Sequence, residues 1–163
     1  MVIREAEIRD CEAIARIYNE GIAERIATFE TQPRAPEDIA GWFDGVHPVV
    51  VADENGEVLA FASTSTYRPR ACYAGIAEFS VYVSRKARGR GLGKRVLQGL
   101  ITAAQEAGFW KLISRIFPEN TASLGLMKSM GFREVGLYKK HGKLDGEWRD
   151  VVIVEYLIEA NAS

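Results

Sequence analysis

One stretch constrains this chain more than any other: SRKARGRGLGKR, Ser84 to Arg95, with six basic residues and three glycines in twelve positions. Before it runs AEFSVYV, Ala77 to Val83, whose alternation sets Phe79, Val81 and Val83 on one face of a strand and Glu78, Ser80 and Tyr82 on the other. After it, Val96, Leu97, Leu100, Ile101 and Ala104 recur as the apolar stripe of a helix. A strand, a glycine-rich turn and a helix N-terminus thus follow one another directly. Glycines admit a ligand close to the backbone, and the first helical N–H groups, unpaired within the helix, carry the positive end of its dipole. The unit is suited to an anion, with Arg85, Lys86, Arg88, Arg90, Lys94 and Arg95 around it. Two common phosphate loops are excluded by spelling. A P-loop needs Ser or Thr after Gly-Lys, but Gly93-Lys94 is followed by Arg95. A dinucleotide fingerprint needs a third glycine where this chain has Lys94 or Val96. A solvated charge run and a nucleic-acid contact are the competing readings of the stretch.

The flanking sequence supplies the rest of an α/β domain. Val2 to Ala6 reads as a short strand, and Asp10 as the N-cap of a helix carrying Ile14, Ile17, Tyr18 and Ile22. Pro33 and Pro36 break the chain before a short helix over Glu37 to Phe43. PVVVA and EVLAFASTST flank Asp53-Glu54-Asn55-Gly56 as a hairpin. A strand, WKLISRIF, ends at Pro118, and Asn120 or Thr121 caps a helix with Leu124, Met127 and Met130 that Gly131-Phe132 stops. Strands around Phe132 to Tyr138 and Asp150 to Ile158 close the chain, with Gly142 and Gly146 in the turn between them. The order predicts a mixed α/β sheet with helices on its faces, in one domain over residues 1–163.

Composition narrows the function classes. A net charge of −1 argues against a protein built to coat nucleic acid. No apolar run approaches the ~20 residues of a membrane span, and Met1 to Glu5 lacks the apolar core of a signal peptide. The expected address is the cytoplasm, with neither nucleic acid nor membrane as partner. Cys11 and Cys72 form no metal-ligand spacing and are read as buried, reduced thiols; no metal is expected.

Arg88-x-x-Gly91-x-Gly93 resembles the R/Q-x-x-G-x-G/A acyl-CoA pyrophosphate loop of the GNAT superfamily of N-acetyltransferases. Asn120-x-x-Ser123-x-x-Leu126-Met127-x-x-x-Gly131-Phe132 resembles that family's later helix motif. RIYNEGIAERIATFETQP, AEFSVYV and DGEWRDV resemble its phosphinothricin and arsinothricin N-acetyltransferase branch more narrowly. The resemblance implies the GNAT fold, a mostly antiparallel central sheet of about seven strands with helices on both faces. It also implies acetyl-CoA as co-substrate, a small-molecule amine as acceptor and a homodimer. Residues carried over to acetyl-CoA are Val81, Tyr82, Val83, Arg88, Gly89, Arg90, Gly91, Leu92, Gly93, Lys94, Asn120 and Ser123.

Acetyl transfer from a thioester needs a deprotonated amine, and Glu78 is the expected general base, directly or through water. Its apolar strand neighbours suggest a desolvated carboxylate. The resemblance implies that this strand splays from its neighbour and offers the main chain of Val81 and Val83 to the pantetheine arm. Many family members have a tyrosine acid where this chain has Met127, and one branch member has a histidine near Asp145, so no general acid is assigned. Arg68, Arg70 and Tyr73 in TYRPRACYAG, with Phe29 and Thr31 in TFETQP, are the candidate substrate contacts, since an arginine matches a carboxylate or phosphinate in a two-point fork. Without a nucleophilic Cys or Ser in an activating group, direct attack in a ternary complex is expected, acting on the α-amine of a small amino acid or toxic analogue. Acetylation of a protein or peptide N-terminus and a non-catalytic acyl-CoA sensor are the alternatives.

Overall fold

A computed structural model describes residues 1–163. The elements run β1 (Val2–Glu5), α1 (Cys11–Glu24), α2 (Pro36–Ala40), β2 (Val49–Glu54), β3 (Glu57–Thr66), β4 (Ile76–Val83), α3 (Leu92–Glu106), β5 (Lys111–Ile116), α4 (Thr121–Ser129), β6 (Arg133–Leu144) and β7 (Glu147–Leu157). The strands form one seven-stranded sheet in the order β1-β2-β3-β4-β5-β7-β6. Every pairing is antiparallel except β4 with β5.

Alternation along the strands sorts the core into two layers. On one face Phe61, Val49 and Val51 pack beneath α1 and α2 against Ile14, Ile17 and Ile39. On the other, Val50, Ala62 and Phe79 meet Val96, Leu97 and Leu100 of α3 and Met127 of α4. Helices on both faces are therefore observed, as the sequence implies. No helix is long and apolar enough to cross a membrane.

The β2–β3 hairpin turns at Asn55-Gly56, where both residues have positive φ (54° and 88°), as a tight primed turn requires. Several local expectations are corrected. Asp10 precedes α1, but its side chain caps nothing there; it is taken by a two-point bond from Arg4, at 2.8 and 2.9 Å, and by the N–H of Glu7. The guanidinium bond holds the Asp10 carboxyl below its ordinary 3.8, against the opposing effect of burial. Helix α2 ends at Ala40, short of Phe43. The last hairpin is longer than the sequence suggests and turns at Asp145-Gly146, while Gly142 lies inside β6, paired with Arg149. Trp148 and Arg149 are accordingly strand residues. Cys11 is buried, but Cys72 is exposed.

Candidate active site

The parallel pairing of β4 with β5 covers only Ile76, Ala77 and Glu78, opposite Lys111, Leu112 and Ile113. Beyond Glu78, β4 continues to pair with β3 while Ser114 to Ile116 of β5 pair only with β7. Two side-chain links also cross the seam: the Ser114 hydroxyl donates to Phe79 O at 2.9 Å, and the Arg115 guanidinium donates to the Glu78 carboxylate at 3.0 Å. The sheet is split from that point.

Main-chain groups line the split. Ser84 N–H donates to Leu59 O of β3 at 2.8 Å, whereas Phe79 O faces β5. Because successive residues of a strand aim their N–H and C=O to opposite sides, Val81 and Val83 turn theirs into the gap. A cleft of about 780 Å³ opens there, lined by Val81, Tyr82, Val83, Arg88, Gly89, Gly91, Leu92, Gly93 and Lys94, with Asn120 and Ser123 from the start of α4. Asn120 is positioned by its own capping bond, its Oδ1 accepting from Ser123 N–H at 3.2 Å. Eleven of the twelve residues expected at acetyl-CoA thus share one cleft. Arg90 does not line it; its guanidinium pairs with Glu54 on the hairpin instead.

The cleft fits an elongated anionic ligand. At its glycine-loop end Gly89 and Gly91 have φ of 81° and 75°, and a Cβ at either would meet nothing, so the backbone there is open. The ladder of α3 begins with Arg95 N–H donating to Gly91 O, which leaves the N–H groups of Leu92, Gly93 and Lys94 outside it. Glu78 to Ser84 is six residues of chain, so the seam and the glycine loop lie about 20 Å apart along the strand.

The basic ring, however, is largely spoken for. Arg88 makes a two-point bond with Glu24, the last residue of α1, at 2.6 and 2.7 Å, and this holds the Glu24 carboxyl below its usual range. Arg85 lies 3.7 Å from the same carboxylate, and Lys86 pairs with Glu57. Lys94 and Arg95 have no ion-pair partner, and of these Lys94 lines the cleft.

Residues that sequence reasoning missed are also in the cleft wall: Gly21 and Glu24 of α1, Ile26 and Ala27 beyond it, Ala122 and Leu126 of α4. Gly21 has a clear reason. A Cβ there would stand 2.6 Å from the Tyr82 ring, which stacks on Tyr18 and Phe61 at 5.1 and 5.3 Å. Burial pushes the Tyr82 phenol far above its ordinary range, so it is a packing group before it is an acid. The helical glycine in NEGIAE was the available signal.

At the seam, Glu78 is the last residue of β4 paired with β5. Its carboxylate is not in an apolar slot, as expected from its neighbours, but in an ion pair with Arg115 at 3.0 Å. Phe29 stands edge-on to Phe117 at 4.8 Å, and Arg149 lies over the other aromatic partner, 5.3 Å from the Phe117 ring centre. A Cβ at Gly142 would sit 2.9 Å from the Phe29 ring, which explains a glycine within a strand. Arg68 and Arg70 are exposed on the β3–β4 loop, where Arg68 covers the Tyr67 ring at 4.6 Å and Tyr73 meets that ring edge-on at 5.7 Å. Thr31 is exposed. Met127 is buried in the core, His141 is exposed and stacked on Tyr138, and Asp145 pairs with Arg25.

Known proteins are similar to this chain along almost its whole length. YwnH of Bacillus subtilis (strain 168), a candidate phosphinothricin acetyltransferase by name, is 40% identical over 158 residues, covering 94% of this chain and 97% of its own. An L-methionine sulfoximine/L-methionine sulfone acetyltransferase of Pseudomonas paraeruginosa is 34% identical over 166 residues, 99% of this chain and 96% of its own. The crystal structure of a GNAT superfamily phosphinothricin acetyltransferase from Sinorhizobium meliloti, in complex with AcCoA, superposes with a TM-score of 0.90 at 32% identity over 99% of this chain and 91% of that one. Residues 13–132, which run from within α1 to just past α4 and contain the whole cleft, match the family described as Acetyltransferase (GNAT) family, and the chain belongs to it.

Proposed function

We propose that the protein transfers an acetyl group from acetyl-CoA to the α-amine of a small amino acid or an amino-acid analogue of the phosphinothricin and methionine sulfoximine kind. One observation carries the reading: the split between β4 and β5 exposes the main chain of Val81 and Val83 to a cleft that ends on the open amides of the glycine loop. Such a cleft takes a long ligand with an anionic head and an amide-bearing arm, which describes CoA. The loop residues Arg88 to Lys94 then hold the diphosphate, except that Arg90 acts through its main chain only, and Asn120 and Ser123 flank the arm. Acetyl-CoA supplies the thioester, whose thiolate is a competent leaving group.

Glu78 receives the proton lost by the amine, directly or through a water, while Arg115 fixes the carboxylate's orientation. The amine nitrogen forms its bond to the acetyl carbon as the carbon–sulfur bond breaks, with no acyl-enzyme between. A donor for the departing sulfur is not required, which suits a chain with Met127 buried in the core and His141 out on β6. Arg68 and Arg70, exposed and without carboxylate partners, are the groups available for the substrate's own acid group, with Tyr73, Phe29 and Thr31 as further candidate contacts. A two-residue arginine site of this kind favours free amino acids over peptide N-termini, whose α-carboxylate is masked.

The test is release of free thiol from acetyl-CoA in the presence of methionine sulfone, methionine sulfoximine, phosphinothricin, ordinary amino acids and a peptide beginning with alanine. The expected result is turnover with members of the free amino-acid set. Turnover confined to the peptide overturns the substrate class, and none with any amine overturns the enzymatic reading of this site.

A further inference from the structure

The geometry points to Glu24 as a resident competitor for the diphosphate: its carboxylate occupies Arg88 until CoA arrives and retakes it as CoA leaves. The inference rests on the reading above, in which the glycine loop holds the diphosphate.

Glu24 lines the cleft and is only partly exposed. Its two oxygens each accept from one terminal nitrogen of Arg88, at 2.6 and 2.7 Å, with Arg85 Nε 3.7 Å from Oε2. A guanidinium bridged by two oxygens in a plane is the same fork that it offers a phosphate. Arg88 therefore cannot give that fork to a diphosphate while Glu24 keeps it. The shortage is real, because the other cations of the loop are spent elsewhere. Lys86 and Arg90 pair with Glu57 and Glu54, and Arg95 lines a separate groove beside β1. Only Lys94 faces the cleft without a carboxylate partner.

Nothing in its own helix holds Glu24 where it is. It ends α1, at the negative end of the helix dipole, in a last turn with no basic residue. An acid there is disfavoured locally, so its position is owed to Arg88 and Arg85. The same negative end and the Glu24 carboxylate also repel an arriving diphosphate. Both effects have one sign: the unliganded protein is stabilised, and the bound one is not. Product CoA carries the same diphosphate as acetyl-CoA, so a carboxylate waiting to retake Arg88 favours release of product, a step that limits turnover in many enzymes.

The experiment is calorimetric titration of the unaltered protein, Glu24→Gln and Glu24→Ala with two probes, CoA and S-acetyl-pantetheine, which lacks the diphosphate and nucleotide. Both substitutions are expected to tighten CoA binding about fivefold, the scale of a partly exposed ion pair, and to leave S-acetyl-pantetheine unchanged. In an Arg88→Ala background the gain disappears, and CoA becomes a stronger product inhibitor of the Glu24→Gln enzyme. Unchanged or weaker CoA binding by both Glu24 variants overturns the proposal and makes Glu24 a support for Arg88 or a bystander. A gain of equal size with S-acetyl-pantetheine also overturns it, because the effect is then not on the diphosphate. If the unaltered protein binds CoA no better than S-acetyl-pantetheine, the placement of the diphosphate fails first, and the proposal falls with it.

Discussion

The two ends of β4 build their chemistry from different materials. At the C-terminal end the loop offers main chain: two glycines at positive φ, helical N–H groups with no partner in the ladder, and the unpaired edge of Val81 and Val83. At the N-terminal end Glu78 works through side chains brought from afar. Its partner Arg115 is 37 residues away in sequence. Main-chain groups are offered by any sequence that can form the turn, whereas side-chain groups change with a single substitution. On the proposed function, the glycine-loop end serves the cofactor and the seam end serves the substrate.

Substitutions at the two ends ought to separate catalysis from cofactor binding. Glu78→Gln is expected to lower kcat/KM by about 10²–10⁴-fold, the span of a general base, with acetyl-CoA affinity by calorimetry unchanged. Comparable loss of affinity would mean the two ends are not independent. Gly91→Ala tests the other end. A Cβ there would enter the space that the loop leaves open to a ligand, so acetyl-CoA binding is expected to weaken by roughly tenfold while the rate at saturation holds, and the left-handed backbone costs the fold about 1–2 kcal/mol besides. A saturating rate that fell as far as in Glu78→Gln would erase the distinction. Arg115→Gln is a milder probe of the seam: loss of a partly exposed pair is worth about 0.2–1 kcal/mol, giving a change of less than about fivefold in kcat, with cofactor affinity intact.

A fourth change touches neither end and serves as the reference. The Asp10 carboxyl, held below its ordinary value by Arg4, contributes stability that is present above the unfolded-state value. As pH falls through the lowered folded-state value, that stability is lost. Asp10→Asn should therefore melt earlier than the unaltered protein at pH 7, and the gap should close below about pH 4, as thermal melts across pH will read. A gap that stayed constant to pH 2 would separate the effect from ionisation.

Legibility in the sequence divides along the same line. The strand, loop and helix of the phosphate end were readable because glycine spacing and apolar periodicity are local, and the structure places eleven of the twelve expected residues in one cleft. Arg90 departs because a carboxylate on the β2–β3 hairpin lies within its reach, which no local pattern records. Asp10 reads as a cap until Arg4, six residues earlier, offers a charge-assisted bond stronger than one amide. Gly142 reads as a turn residue because glycine marks turns. Its cause is instead the ring of Phe29, more than a hundred residues away in sequence. The desolvated setting expected for Glu78 failed similarly, since strand neighbours describe one face and Arg115 arrives from beside it. What sequence left obscure is what only long-range contact decides.

The brevity of the β4–β5 pairing has a mechanical consequence. Three residue pairs, the Gly75 O bonds from Trp110 and Lys111 N–H, the Ser114 hydroxyl bond and the Glu78–Arg115 ion pair join the edges of a four-stranded leaf, β1 to β4, and a three-stranded leaf, β5 to β7. The sheet is a book with a short spine. A molecule seated in the open part of the seam and bonded to the β4 edge stands where a further stretch of β5 would stand in an unbroken sheet. It thereby stiffens the whole domain as a missing strand would, so occupancy is written into the rigidity of both leaves and not only into the loop that grips the ligand's head.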